Sequence, residues 1–140
     1  TWALVKHHPW FADARISQNC RWVLDSGGSF PLTVEGGDIL TLSDSLALIG
    51  ASERTSWAMI VALGQELIAE GFGRVLVVEM AKQRSSMHLD TVFTMVDWDK
   101  AVLYGPILEA GGREEVQVIR MHGKGKENAQ DPFSKMQRKH

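Results

Sequence analysis

The clearest periodic signal in the chain runs from residue 38 to residue 80. Ile39-Leu40-Thr41-Leu42 is a short, mostly apolar strand, Ser43-Asp44-Ser45 a hairpin turn, and Leu46-Ala47-Leu48-Ile49-Gly50 the returning strand. Beyond Ser52-Glu53-Arg54-Thr55, the residues Trp57, Ile60, Val61, Leu63, Leu67 and Ile68 recur at three- and four-residue spacing. That spacing marks a helix with a core-facing stripe. It predicts a helix across roughly Arg54–Glu70, opened by Ser52 as cap with Glu53 in the first turn and stopped by Gly71. Arg74-Val75-Leu76-Val77-Val78-Glu79-Met80 is nearly all apolar, as in strands of a sheet covered on both faces. Residues 38–80 therefore read as one β-β-α-β unit, and the fold class is α/β.

The following segment begins in the same way. Leu89–Val96 reads as a strand, Asp97-Trp98-Asp99 as a turn and Lys100–Tyr104 as a returning strand, closed by Gly105-Pro106. Glu115–Arg120 is one more strand, and a second helix has no clear counterpart. Residues 1–32 are the least regular part, with aromatic anchors at Trp2, Trp10, Phe11, Trp22 and Phe30 and an interruption at His7-His8-Pro9. Residues 123–140 are polar and show no periodic apolar face, which predicts a loose tail.

Composition narrows the classes. The 140 residues make a single domain, or part of one, with enough apolar positions for a core. A formal net charge of -2 argues against nucleic-acid binding, which requires a basic excess. The single cysteine, Cys20, excludes an internal disulfide and fits a reducing, cytoplasmic setting. No apolar run reaches membrane-spanning length. The chain opens Thr1-Trp2-Ala3-Leu4-Val5, without Met and inside an apparent strand, which reads as a piece of a longer protein.

Three short pieces carry candidate chemistry. In Met87-His88-Leu89-Asp90-Thr91-Val92-Phe93 a strand reading puts His88 and Asp90 on one face and sends Leu89 to the other side. An imidazole beside a carboxylate is the smallest unit of general acid–base chemistry, although the same pair also occurs as plain surface decoration. Thr33-Val34-Glu35-Gly36-Gly37-Asp38 displays two acids with no side chain between them. The glycines mean either an ordinary acidic turn or a backbone lying very close to something. Ser52-Glu53-Arg54-Thr55 adds a cation at the predicted helix start. Together, acids around one histidine suit a planar guanidinium, while Arg54 suits an anionic group on the same ligand, such as an α-carboxylate. A ligand with both ends is an amino acid such as arginine. Cys20 reads as a small half-buried thiol rather than a nucleophile, since no neighbouring histidine or helix start activates it.

Glu35-Gly36-Gly37-Asp38, Gly50 through Arg54-Thr55, and Met87 through Phe93 resemble the arginine deiminase family of the guanidine-modifying pentein superfamily. The resemblance is clearest over residues 33–108 and points to the family's central region. It implies pentein-type β-β-α-β modules in an α/β propeller of pseudo-fivefold symmetry, here partial, since 140 residues cannot close such a ring. It implies hydrolysis of L-arginine to L-citrulline and ammonia, with no cofactor and no metal. His88 then matches the general acid–base histidine, and Glu35 the carboxylate that orients it. Asp90 matches one of two aspartates gripping the guanidinium, Arg54 an arginine binding the α-carboxylate, and Asp38 a structural or substrate-side member of its motif. The implied mechanism is covalent, through a cysteine thiolate near the family's C-terminus.

The departures are as informative as the matches. No cysteine follows Asp90, Cys20 precedes every motif, and the second guanidinium-binding aspartate has no recognisable counterpart. The resemblance therefore implies a fragment or truncated homologue that is inactive by itself and self-associates through exposed module edges. Other readings are a dimethylarginine hydrolase, an amidinotransferase, or a non-catalytic guanidinium-binding module, the last favoured by the missing thiol. A metal hydrolase using His88 and Asp90 lacks a further histidine placed to complete its site.

Overall fold

The computed structural model describes residues 8–12 and 32–122. The expectations for Cys20, for the anchors Trp2, Trp22 and Phe30, and for the tail lie outside these residues. A single helical turn, α1, covers Pro9–Ala12. The β-β-α-β order predicted for residues 38–80 is present as β1 (Ile39–Ser43), β2 (Leu46–Ala51), α2 (Trp57–Ala69) and β3 (Arg74–Glu79). Two further strands, β4 (Phe93–Asp97) and β5 (Lys100–Leu103), form an antiparallel hairpin, and β6 (Gln117–Met121) returns to the main sheet. That sheet is mixed, in the order β1-β2-β3-β6. Only β2 and β3 run parallel, and α2 supplies the long crossover that a parallel pair requires.

The apolar runs are explained by burial on both sheet faces. Ile49 and Ala51 of β2 and Val75 and Val77 of β3 pack under Met59, Ile60 and Leu63 of α2. Leu48 and Val78 point the other way, into a second cluster with Met80, Leu89, Val92 and Ile107. The period of two thus sends successive residues of each strand to opposite cores, which is why polar alternation is missing. On α2, Ile60 and Leu63 are buried and Leu67 and Ile68 pack against the same cluster, as the stripe predicts. Trp57 and Val61, also assigned to that stripe, are 44% and 46% exposed. Met59 and Gly64 fill the inward positions instead. A Cβ at Gly64 would run into the Met121 thioether of β6, which would have to move aside.

Both ends of α2 have identifiable stops. The helix begins at Trp57 rather than Arg54, and its cap is Ser56, whose hydroxyl accepts from the Met59 N–H. Ser52 does not cap it; its hydroxyl donates to Asp38 and accepts from the Arg54 N–H. At the far end Gly71 N–H donates to the Ile68 carbonyl and Phe72 N–H to the Leu67 carbonyl. These two bonds form a Schellman closure, with Gly71 at φ +109 and Phe72 and Leu67 packed on the same core. Residues 89–91 are also corrected: they form a 3-10 turn, and β4 starts only at Phe93. Leu89 and Val92, three apart, are both buried, a spacing that a turn of three residues satisfies and a strand does not. No helix among the described residues is long and apolar enough to cross a membrane.

The Gly71 closure gives a direct test. A side chain at Gly71 meets no neighbouring atom, so the cost of substitution is confined to the backbone. Gly71→Ala should lower stability by about 1–2 kcal/mol, read as an earlier midpoint in urea with unchanged slope.

Candidate functional site

The site is built beyond the C-terminal end of β2, where three loops meet. The Gly36–Asp38 turn enters β1, the segment Ser52–Ser56 leaves β2, and the Leu89–Thr91 turn precedes β4. Asp38 lies at their junction with no exposed surface. Its Oδ2 accepts from Ser52 Oγ and Thr55 Oγ1, each at 2.5 Å, and its Oδ1 accepts from the Leu89 N–H at 2.9 Å. A buried carboxylate needs this many donors, because any lone pair left dry would cost free energy.

The segment before β1 is tied to the same loop. Thr33 O accepts from the Ser56 N–H, and the Glu35 N–H donates to Thr55 Oγ1 at 3.2 Å. Glu35 is thereby brought beside Arg54, and their side chains form an ion pair at 3.7 Å, both about half exposed. Arg54 sits in the loop and not on the first turn of α2, with its Nη2 3.8 Å from Met87 Sδ. His88 follows Met87 with an extended backbone, and its Nδ1 is 3.7 Å from Asp90 Oδ1. That distance allows charge pairing but is too long for a hydrogen bond. His88 Nε2 is enclosed and finds no hydrogen-bond partner among the described residues.

The five predicted residues thus gather at one place, with a pairing different from the expected one. Glu35 goes to Arg54 and His88 to Asp90; no hydrogen bond or ion pair links Glu35 to His88. Asp38 is wholly buried and fully engaged, so it contacts loops rather than open surface. The close approach suggested by the paired glycines is real at Gly37. A Cβ there would lie 2.6–2.7 Å from the Asp90 carboxylate, so Asp90 rests on bare backbone. Gly50 is in the same position toward Asp38 and Leu89.

Ser52 and Thr55 are the contacts to Asp38 that sequence reasoning missed. Their signal was present as two hydroxyls flanking a charged pair directly after a strand, but a helix cap explained Ser52 equally well. Among the described residues, no three histidine, cysteine, aspartate or glutamate side chains gather closely enough to hold a metal ion.

Residues 1–139 match the family model described as arginine deiminase. The chain belongs to the arginine deiminase family. It is 39% identical over 123 residues to the arginine deiminases of Staphylococcus aureus strains JH9 and Newman. Those alignments take in 83% of this chain and 28% of each staphylococcal protein, so the chain spans under a third of the length of these relatives.

The two site glycines differ in what their substitution should do. At Gly50 a methyl group would collide with buried Asp38 and Leu89, and Gly50→Ala should cost about 1–3 kcal/mol as overpacking. At Gly37 the obstruction is a half-exposed carboxylate that can swing into solvent, so Gly37→Ala should stay within about 0.5 kcal/mol of the parent. Urea denaturation of the two variants checks the contrast.

Proposed function

We propose that this chain is the histidine-bearing portion of an arginine deiminase, whose parental reaction converts L-arginine and water to L-citrulline and ammonia. One observation carries the reading. A carboxylate–guanidinium pair and a histidine–carboxylate pair stand together on one buried aspartate, in a chain of this family.

In this reading Asp90 accepts hydrogen bonds from the substrate guanidinium, a charge-assisted contact that fixes the plane of the group. Arg54 holds the α-carboxylate. The Glu35 side chain, paired with Arg54 in this structure, takes the role of orienting the His88 ring that the family resemblance implies. A cysteine thiolate attacks the guanidinium carbon to form a tetrahedral adduct. His88 protonates the departing amine, which leaves as ammonia, and the carbon is left as an S-alkylthiouronium. His88 then takes a proton from water, the hydroxide adds to that carbon, and expulsion of the thiolate releases citrulline. No cofactor takes part. The ring supports this role in that Nδ1 faces the Asp90 carboxylate while, among the described residues, Nε2 is engaged by no hydrogen-bond partner. The partial pentein propeller, cytoplasmic location and self-association belong to the same proposal.

Nothing after Asp90 is a cysteine, so the chain alone lacks the nucleophile. Acid–base help from one histidine is worth about 10²–10⁴-fold, a small part of what enzymes usually supply. The purified chain should form no measurable citrulline from arginine, with or without Cys20→Ser. Any arginine binding seen by calorimetry should be weak and should fall further in Asp90→Asn and Arg54→Ala.

The parental activity is tested by replacing the aligned 123-residue stretch of a staphylococcal arginine deiminase with that of this chain. The chimaera should release citrulline, and His88→Ala within it should lower kcat by about 10²–10⁴-fold or more. A folded chimaera that binds arginine without turnover would favour the non-catalytic guanidinium-binding reading, to which the missing thiol also points.

A further inference from the structure

Three backbone N–H groups converge on the Asp38 carboxylate, and each belongs to a segment carrying a proposed site side chain. The Leu89 N–H, between His88 and Asp90, donates directly to Asp38 Oδ1. The Glu35 N–H donates to Thr55 Oγ1, which passes its own hydroxyl proton to Asp38 Oδ2. The Arg54 N–H donates to Ser52 Oγ at 3.2 Å, and that hydroxyl also donates to Asp38 Oδ2. A carboxylate only accepts, so both hydroxyls must point their protons at it and keep their lone pairs for the two amides. The orientation of each hydroxyl, and through it the path of each loop, is set by one buried group.

We propose that Asp38 is a positioning residue that fixes Glu35, Arg54, His88 and Asp90 relative to one another through these three routes. The assignment to a reaction rests on the deiminase reading above, whereas the positioning itself is a property of this chain and is measured without turnover. The decisive feature is that an asparagine of the same shape cannot replace the carboxylate. If its carbonyl faces the two hydroxyls, its NH2 group opposes the Leu89 N–H. If it is flipped, the NH2 group meets both hydroxyls and turns their protons away. A residue that merely fills space would tolerate Asp38→Asn.

Backbone amide exchange by NMR on the 140-residue chain, with variants Asp38→Asn, Thr55→Ala, Thr55→Ser and Ser52→Ala, separates the possibilities. In Asp38→Asn either the Leu89 amide or the Glu35 and Arg54 amides, according to which way the new amide group settles, should exchange about ten- to a hundredfold faster relative to Ile49 and Val77, matching loss of a hydrogen bond to a charged group. The His88 ring resonances should shift with them. Thr55→Ala should release Glu35 while leaving Leu89 protected, Thr55→Ser should restore it, and Ser52→Ala should move the Arg54 amide alone. Protection at Leu89 and Glu35 equal to the parent in Asp38→Asn would overturn the proposal. So would a uniform acceleration that includes Ile49 and Val77, which would mark Asp38 as a contributor to global stability only. Should Asp38→Asn fail to fold, the threonine and serine variants decide: release of all three segments together by either one contradicts separate routes. None of these outcomes depends on citrulline formation, so a failed deiminase reading and a failed positioning role are told apart.

Discussion

Burying a carboxylate without exposed surface is affordable only when its lone pairs are all engaged, and that constraint shapes this site. Satisfying Asp38 draws two hydroxyls from the loop after β2 and one amide from the turn before β4. Those demands dictate much that surrounds it. Gly50 lacks a side chain because Asp38 and Leu89 occupy the space, and Ser52 is held on Asp38 while Ser56 caps α2. The helix starts three residues later than its acidic and hydroxylated prelude suggests, and Arg54 lies in a loop where its guanidinium reaches Glu35.

The sheet contributes the rigid half of the arrangement. β2 and β3 are the inner strands of a four-stranded sheet and carry a separate core on each face. The helix covers one face, and the turns bearing Leu89 and Ile107 cover the other. The turn that displays His88 and Asp90 is therefore itself part of a hydrophobic core, through Leu89 and Val92. Packing fixes where the turn sits, while the hydrogen bond from Leu89 to Asp38 fixes its register against β1 and β2. Chemistry-bearing side chains of this kind belong at loop ends held by a scaffold, where exposure and precision can coexist.

Legibility in the sequence followed the range of the interactions involved. The strands were readable because burial on two faces leaves an unbroken apolar run, as in Arg74–Glu79. The helix was readable from Ile60, Leu63, Leu67 and Ile68, but periodicity gives the direction of the stripe and not its width, so Trp57 and Val61 were assigned to the core in error. The turn at residues 89–91 was misread as a strand although its three-residue spacing of Leu89 and Val92 already spoke against alternation. The five candidate residues could be nominated together because the family's motifs are short and local. Their pairing was not legible, since whether Glu35 meets Arg54 or His88 depends on how distant loops fold over one another.

The bonds to Asp38 also differ in how much chain they close. Ser52 and Thr55 lie 14 and 17 residues away, whereas Leu89 lies 51 residues away. By the logarithmic growth of loop-closure entropy, the longest span costs about 1.1 kcal/mol more to close than the shortest. The intervening β-β-α-β unit shortens that span through contacts that are nearer in sequence. The two halves of the site consequently differ in range: the glutamate–arginine half is local to the unit, and the histidine half is joined to it by the longer span. Any process that interrupts the chain between β3 and Met87 would spare the unit and its charge pair, yet would turn docking of the histidine half from an internal event into a bimolecular one.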